Sequence, residues 1–341
     1  GDFLVYDGFL PYERSIDDEQ PDHVGYSPAV SGIALNFNRV HFEWKPVSGG
    51  YTVAMDARTE RYRPEVQMAE MRVVNRSLPV YTYREVDNRD SWTVASNALG
   101  KGGSRWLPVR RPGEYAGDVF RTLARSNGIV LKSARVVRRM PNGAQAIAQH
   151  QSARLWVILQ MMLKYSNNLT AEMVGMTASS ARGNQRPTSM RGSAMQMSRW
   201  AARRFDMKNT RLVDHSGLGG ELRMAADDLV GALVEVRRRG ILRPLLKPIP
   251  IRDARGRVVN GHPIKVNAKT GTLNFVSGLG GFMTAADGTE LAFAIFAADT
   301  KARARLSPEE RERPPGARAW NGRAKAFQQK LIEWWGNLYG S

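Results

Sequence analysis

Four consecutive residues, Lys269-Thr270-Gly271-Thr272, place a cation, two hydroxyls and a glycine inside the run Ile264-Lys265-Val266-Asn267-Ala268-Lys269-Thr270-Gly271-Thr272-Leu273. Polar and apolar residues alternate along this run, and two further segments of strand-like composition follow, so the four are expected on one β-strand. Gly271 has no side chain, so a ligand can approach the backbone there and pair with its N–H and C=O groups. Lys269 adds positive charge, and the hydroxyls of Thr270 and Thr272 can bind a carboxylate. Alone, Lys-Thr-Gly more often marks a strand end entering a turn than a reactive site. A second candidate, Ser166-Asn167-Asn168, lies far upstream, directly after an apolar helix. At a helix–helix corner, a Ser-x-Asn can project a hydroxyl and a carboxamide into one cleft. An isolated Ser-Asn-Asn also reads as an ordinary capping turn, because these residue types favour caps.

The elements that must position these groups can be read along the chain. Gly1 to Tyr6 has the composition of a strand, and an acidic, turn-rich stretch follows to Ser27-Pro28. From Val30 to about Tyr115 short alternating runs, among them Ile33 to Phe37, Val40 to Trp44 and Tyr51 to Met55, are separated by Gly, Pro, Asn and Asp, which predicts a mainly β region. Ala116, Val119, Phe120, Leu123 and Ala124 recur at helical spacing before Asn127-Gly128. Two short strands, Ile129 to Leu131 and Ala134 to Val137, are expected next.

A second unit is expected from about residue 146. Leu155, Ile158, Leu159, Met162 and Leu163 form one helical face, and a new helix begins near Asn167 or Asn168. A polar loop from Arg182 to Pro187 precedes a helix from Met190 to Phe205. The turn-rich loop Leu212 to Gly220 leads to a helix from about Ala226 to Arg239. Three strands follow: the Lys269 strand, Gly278 to Ala285, and Glu290 to Ala298, the last two joined by a turn at Asp287-Gly288. An Arg/Pro-rich loop, Lys301 to Arg318, leads into a final helix from about Gly316 to Tyr339. The expected division is therefore 1–145 and 146–341.

Composition bounds the possible functions. With 341 residues, two or three units are expected, with at least one substantial core. The 50 Lys and Arg against 32 Asp and Glu give a net charge of +18, which favours anionic partners. The basic clusters are scattered through different elements, and no nucleic-acid-binding motif accompanies them, so nucleic acid is not an expected partner. Cysteine is absent, which removes disulfides, thiol nucleophiles and cysteine-ligated zinc. The five histidines are too dispersed for a metal site, and no cofactor motif occurs. No apolar run is long enough to span a bilayer, so any membrane association is peripheral. Nothing in the sequence speaks to subunit number.

Ser-Asp-Asn paired with Lys-Thr-Gly is a known signature of β-lactamases and penicillin-binding proteins. Four local matches in order make the likeness more specific: Leu163 to Glu172 around Ser166-Asn167-Asn168, Asp214-His215-Ser216-Gly217-Leu218, Ala268 to Leu273, and Ala285 to Phe293. With Arg111-Pro112-Gly113-Glu114-Tyr115 through Gly128-Ile129, these resemble the periplasmic D-alanyl-D-alanine carboxypeptidase/endopeptidase family, the class C low-molecular-mass penicillin-binding proteins. The resemblance is strongest from Gly113 to Asp299. It implies an α/β fold, a β-lactamase/transpeptidase-like domain in which an antiparallel sheet is flanked by helices, with a mainly β inserted region. Residues 1–145 would be the later part of that insertion and 146–341 the C-terminal part of the penicillin-binding domain.

The resemblance also implies roles. Ser166, Asn168 and Lys269 would be catalytic: Ser166 relaying a proton to the leaving amine, Asn168 donating to the acyl-side amide, and Lys269 offsetting developing negative charge. Thr270, Gly271 and Thr272 would bind substrate, with the Thr272 N–H as an oxyanion donor, and the three catalytic residues are expected to converge at an edge strand. The implied partners are peptidoglycan peptides, with β-lactam antibiotics as covalent inhibitors; no cofactor is implied, and the implied compartment is the periplasm. Two features depart from the family pattern. His215 stands where glycine is usual, at the cleft rim by resemblance or simply as a surface-loop histidine. The nucleophilic Ser-x-x-Lys is absent from all 341 residues. The chain, beginning at Gly1 within a strand, is therefore expected to be part of a longer product whose upstream segment carries the nucleophile. The alternative is a non-catalytic peptidoglycan-binding relative or scaffold.

Overall fold

The computed structural model describes residues 1–183, 186–307, 310–311 and 314–340. Parts of the polar loop 182–187 and the Arg/Pro-rich loop 301–318 thus lie outside the described residues. In chain order the elements are β1 (Phe3–Tyr6), β2 (Arg39–Val47), β3 (Gly50–Asp56), β4 (Ala69–Val74), β5 (Tyr81–Val86), β6 (Arg89–Ala95), β7 (Gly103–Pro108), α1 (Pro112–Ser126) and β8 (Ala134–Val137). Then follow α2 (Leu155–Tyr165), α3 (Asn168–Arg182), α4 (Met190–Phe205), α5 (Ala226–Arg237), β9 (Lys247–Pro248), β10 (Lys265–Leu273), β11 (Val276–Thr284), β12 (Glu290–Ala298), α6 (Thr300–Ala304) and α7 (Ala317–Leu338). They form two interleaved units: one holds residues 1–150, 168–196 and 213–220, the other 151–167, 197–212 and 221–341. Among the described residues no helix is long and apolar enough to cross a membrane.

The first unit contains two three-stranded sheets, β3-β2-β7 and β4-β6-β5, and the parallel pair β1-β8. β2 and β6 are the central strands, and Val40, Phe42, Trp92 and Val94 on them are fully buried, with Leu107, Val109 and Tyr115 in the same core. Asp87 and Asn88 both adopt positive φ between β5 and β6, the backbone of a tight two-residue hairpin turn that asparagine and aspartate tolerate. Two expected strands do not form. In Ile33 to Phe37 the alternation is defeated by left-handed backbone at Asn36, Phe37 and Asn38, where Asn38 turns the chain by accepting from the Leu35 N–H and donating to the Ala29 carbonyl. Ile129 to Leu131 carries no strand, with Ile129 and Val130 exposed, because α1 ends ahead of the left-handed Gly128 and the Ile129 N–H bonds back to the Ala124 carbonyl.

The second unit is built on the antiparallel sheet β12-β11-β10-β9. Its strands are buried on alternate faces by different helices. On one face Val266, Ala268, Leu279, Met283, Phe293 and Ile295 meet Ile332 and Trp335 of α7. On the other, Phe282 packs with Leu163 of α2 and with Leu229 and Leu233 of α5. A buried side chain of this size contributes roughly 1.5–3 kcal/mol, so these two layers fix the sheet and with it the line of β10. The register sets Lys269 opposite Gly280 and Gly271 opposite Gly278. At Gly281 a Cβ would lie 2.2 Å from the Asn267 carbonyl oxygen, so glycine is required where β11 passes β10.

Candidate active site

α2 stops because Ser166 takes a left-handed conformation (φ 53°, ψ 50°) and donates its N–H to the Met162 carbonyl. Glycine or asparagine is the usual occupant of such a cap, and a serine there carries backbone strain. The turn points the Ser166 hydroxyl at β10: Lys269 Nζ donates to Ser166 Oγ at 2.6 Å and to the Thr270 carbonyl at 2.5 Å. Burial, and secondarily the nearby Lys247 charge, lower the Lys269 pKa from its ordinary value. A lysine so placed holds its charge less tightly while keeping one N–H on the serine oxygen.

β9 pairs with β10 only at Asn267 and Ala268. Among the described residues no strand pairs with that side of β10 from Lys269 onward, so backbone groups of this segment face a free edge. A Cβ at Gly271 would meet nothing within 4 Å; Thr270 is half-buried and Thr272 exposed. Lysine, threonine hydroxyls and open backbone thus share one edge, as an extended peptide with a carboxylate end requires. The structure brings Ser166 and Lys269 together and aligns Thr270, Gly271 and Thr272 beside them. Asn168 belongs to the other unit, at the first position of α3, where its carboxamide donates to the Tyr26 carbonyl at 3.0 Å.

Sequence reasoning passed over Glu172 and Asp214. Glu172 is fully buried on α3. Its Oε1 accepts the Ser216 N–H at 2.8 Å and the His215 N–H at 3.2 Å, and its Oε2 accepts the His215 N–H at 3.0 Å. Burial, then the Asp214 charge, push its pKa up to about 7 against these hydrogen bonds. Asp214, also buried, accepts the N–H groups of Gly217 and Gly219, each at 2.6 Å. The surface-histidine reading of His215 does not hold. Its ring lies against α3 at Gly175, where a Cβ would come within 2.2 Å of it, and its Nε2 is 2.9 Å from Ser193 Oγ. Ser193 Oγ in turn donates to Ser179 Oγ, so a consistent chain of donors has Nε2 protonated. Burial lowers the His215 pKa to about 4, so the ring is neutral at physiological pH. The advance signals for Glu172 were its spacing, one helical turn after Asn168, and its place at the end of the matched stretch Leu163 to Glu172. Among the described residues no group of three or more His, Asp and Glu could hold a metal ion.

Residues 10–312 match the D-Ala-D-Ala carboxypeptidase 3 (S13) family. Carboxypeptidase DacB of Mycolicibacterium smegmatis is 28% identical over 232 residues, 64% of this chain and 50% of that protein. The D-alanyl-D-alanine carboxypeptidase of Actinomadura sp. strain R39 is 26% identical over 336 residues, 86% of this chain and 59% of the relative. The chain spans about half the length of the curated relatives it matches. Penicillin binding protein 4 (dacB) from Haemophilus influenzae superposes with a TM-score of 0.61 at 18% identity, covering 92% of this chain and 73% of that one. Its complex with a β-lactam superposes with a TM-score of 0.59 at 20% identity, covering 85% and 71%. These likenesses show the β-lactamase/transpeptidase-like fold.

Proposed function

The chain belongs to the D-Ala-D-Ala carboxypeptidase 3 (S13) family, and from that premise we propose that it is part of a serine-type D-alanyl-D-alanine carboxypeptidase/endopeptidase acting on peptidoglycan stem peptides in the periplasm. The observation that carries the reading is the hydrogen bond from Lys269 Nζ to Ser166 Oγ, which joins two motifs far apart in sequence at a free strand edge. The nucleophile, a serine with its lysine base, is supplied from outside these 341 residues, which contain no Ser-x-x-Lys.

In this reading the serine oxygen bonds to the carbonyl carbon of the penultimate D-alanine while its proton passes to the lysine. Negative charge grows on the carbonyl oxygen, where the Thr272 N–H donates. The C–N bond then breaks, and the leaving amine takes a proton through Ser166, whose hydroxyl Lys269 holds in place. Water cleaves the resulting ester and restores the serine. Asn168 donates to the acyl-side amide, and Thr270 and Thr272 hold the terminal carboxylate beside the Lys269 charge. A β-lactam presents a carbonyl, an amide nitrogen and a carboxylate in the same order, so it acylates the same serine as a covalent inhibitor.

Mass spectrometry after penicillin treatment tests this. The 341-residue chain should gain no adduct, whereas a longer product carrying an upstream Ser-x-x-Lys should gain one. An adduct on the short chain would reveal a different nucleophile. None on the longer product would favour a non-catalytic peptidoglycan-binding relative.

A further inference from the structure

Along α3, Asn168, Glu172, Gly175 and Ser179 follow one another at spacings of four, three and four, which puts them on one face of the helix. The last three hold the same object. Glu172 accepts the N–H groups of His215 and Ser216, Gly175 leaves room for the His215 ring, and Ser179 bonds to the Ser193 hydroxyl that contacts that ring. The loop is further closed on itself by Asp214 through Gly217 and Gly219. The stripe ends at Asn168, one turn from Glu172, with a second tether in the Tyr26 carbonyl.

We propose that Glu172 is a positioning residue: by binding the backbone of His215 and Ser216 with both carboxylate oxygens, it locks the start of α3 to the 214–219 loop and thereby fixes the carboxamide of Asn168. The inference rests on the functional reading above only for the use made of Asn168. Oε1 accepts both N–H groups, and Oε2 gives the His215 N–H its shorter contact, 3.0 against 3.2 Å. Glutamine keeps one acceptor oxygen: with it toward Ser216, its NH2 group would take the Oε2 position and face the His215 N–H, donor against donor. The charged groups around this carboxylate are Asp214 and, beyond it, Asp17, while the neutral His215 ring packs alongside.

Glu172→Gln is close to isosteric, so the variant is expected to fold. In the 341-residue chain, amide hydrogen exchange should accelerate at least ten-fold at His215 in the variant, and less at Ser216. The Asn168 side-chain NH2 resonances should shift or broaden. In the wild type the amide proton shifts of His215 and Ser216 should titrate together near pH 7, a response that the variant lacks. Asn168 resonances and His215 exchange that stay unchanged in Glu172→Gln would overturn the inference. Penicillin acylation of the longer product, with Asn168→Ala as a parallel variant, separates the two ideas. A slow Asn168→Ala beside an unchanged Glu172→Gln overturns the positioning role while leaving the functional reading intact. A wild-type rate in Asn168→Ala refutes the functional reading itself, and the exchange data still decide whether Glu172 holds Asn168.

Discussion

Two corners of this molecule hold polar groups by opposite means. At the Ser166–Lys269 corner the serine is exposed and its backbone left-handed, and among the described residues no strand pairs with the adjoining edge from Lys269 onward. At the Glu172 corner the carboxylate is fully buried and both of its oxygens are bound by backbone N–H groups of a loop that Asp214 closes. The first corner leaves bonding capacity open, and the second has spent it on itself. Polar groups left open to a ligand are where chemistry is expected, whereas saturated buried ones give rigidity.

The largest contrast should come from truncating each corner. Removing Lys269 in the longer product (Lys269→Ala) should slow penicillin acylation by at least a hundred-fold, or about 3 kcal/mol in activation free energy, while stopped-flow acylation and a urea melt of the same protein show stability within about 0.5 kcal/mol of wild type. Glu172→Ala should do the reverse to the fold. Two backbone N–H groups are left buried without acceptors, at roughly 1–3 kcal/mol each, and the urea midpoint should fall accordingly. Equal stability losses in the two variants would erase the distinction between the corners.

A pH series sharpens the same contrast. The Glu172 pKa is raised to about 7 from 4.5. Below pH 4.5 the carboxyl is protonated in folded and unfolded chains alike and nothing is lost. As pH rises toward 7, the unfolded chain releases this proton while the folded one retains it, so the folded state loses stability until the folded pKa is passed. Relative to Glu172→Gln, wild-type stability should therefore decline by on the order of 3 kcal/mol between pH 4.5 and 7.5 and then level off. A difference that stays flat across that window would mean that Glu172 is ionised in the fold at ordinary acidity.

The contrast also explains what could be read beforehand. Lys269 to Thr272 and Ser166 to Asn168 could be singled out beforehand because the chemistry proposed for them needs particular residue types at fixed spacing, and those types are few. The long periodic elements were legible too: α4, β12 and α7 lie within a residue of their expected ends, because their apolar periodicity matches the layers that bury them. Glu172 was not, since a glutamate in a helix sequence is ordinarily a solvated residue, and only the loop that folds back from 43 residues further on makes it a buried acceptor. His215 was misread for the same reason: its burial depends on the missing side chain of Gly175, a relation between distant positions. The expected strand at Ile33 to Phe37 failed through local turn chemistry at Asn36 to Asn38, which overrode the alternation.

The smallest expected effect is the most discriminating, because it separates strain kept for use from strain that is incidental. Ser166 sits at a left-handed helix end, where a residue with a Cβ costs about 1 kcal/mol. Glycine removes that cost and in turn gives up some stability through its freer unfolded chain. Ser166→Gly should therefore leave the chain as stable as wild type or up to about 1 kcal/mol more stable, while Ser166→Ala, which keeps the Cβ and loses only the hydroxyl, should gain nothing. Both lose the oxygen that Lys269 holds, so acylation of the longer product should fall in both alike. A stability gain paired with lost acylation would identify the left-handed turn as the device that aims the Ser166 hydroxyl, in line with the stability that reactive sites commonly sacrifice. If Ser166→Gly instead destabilises the fold as urea denaturation measures it, the serine belongs to the architecture of the α2 end, and the two corners differ less than their hydrogen bonds suggest.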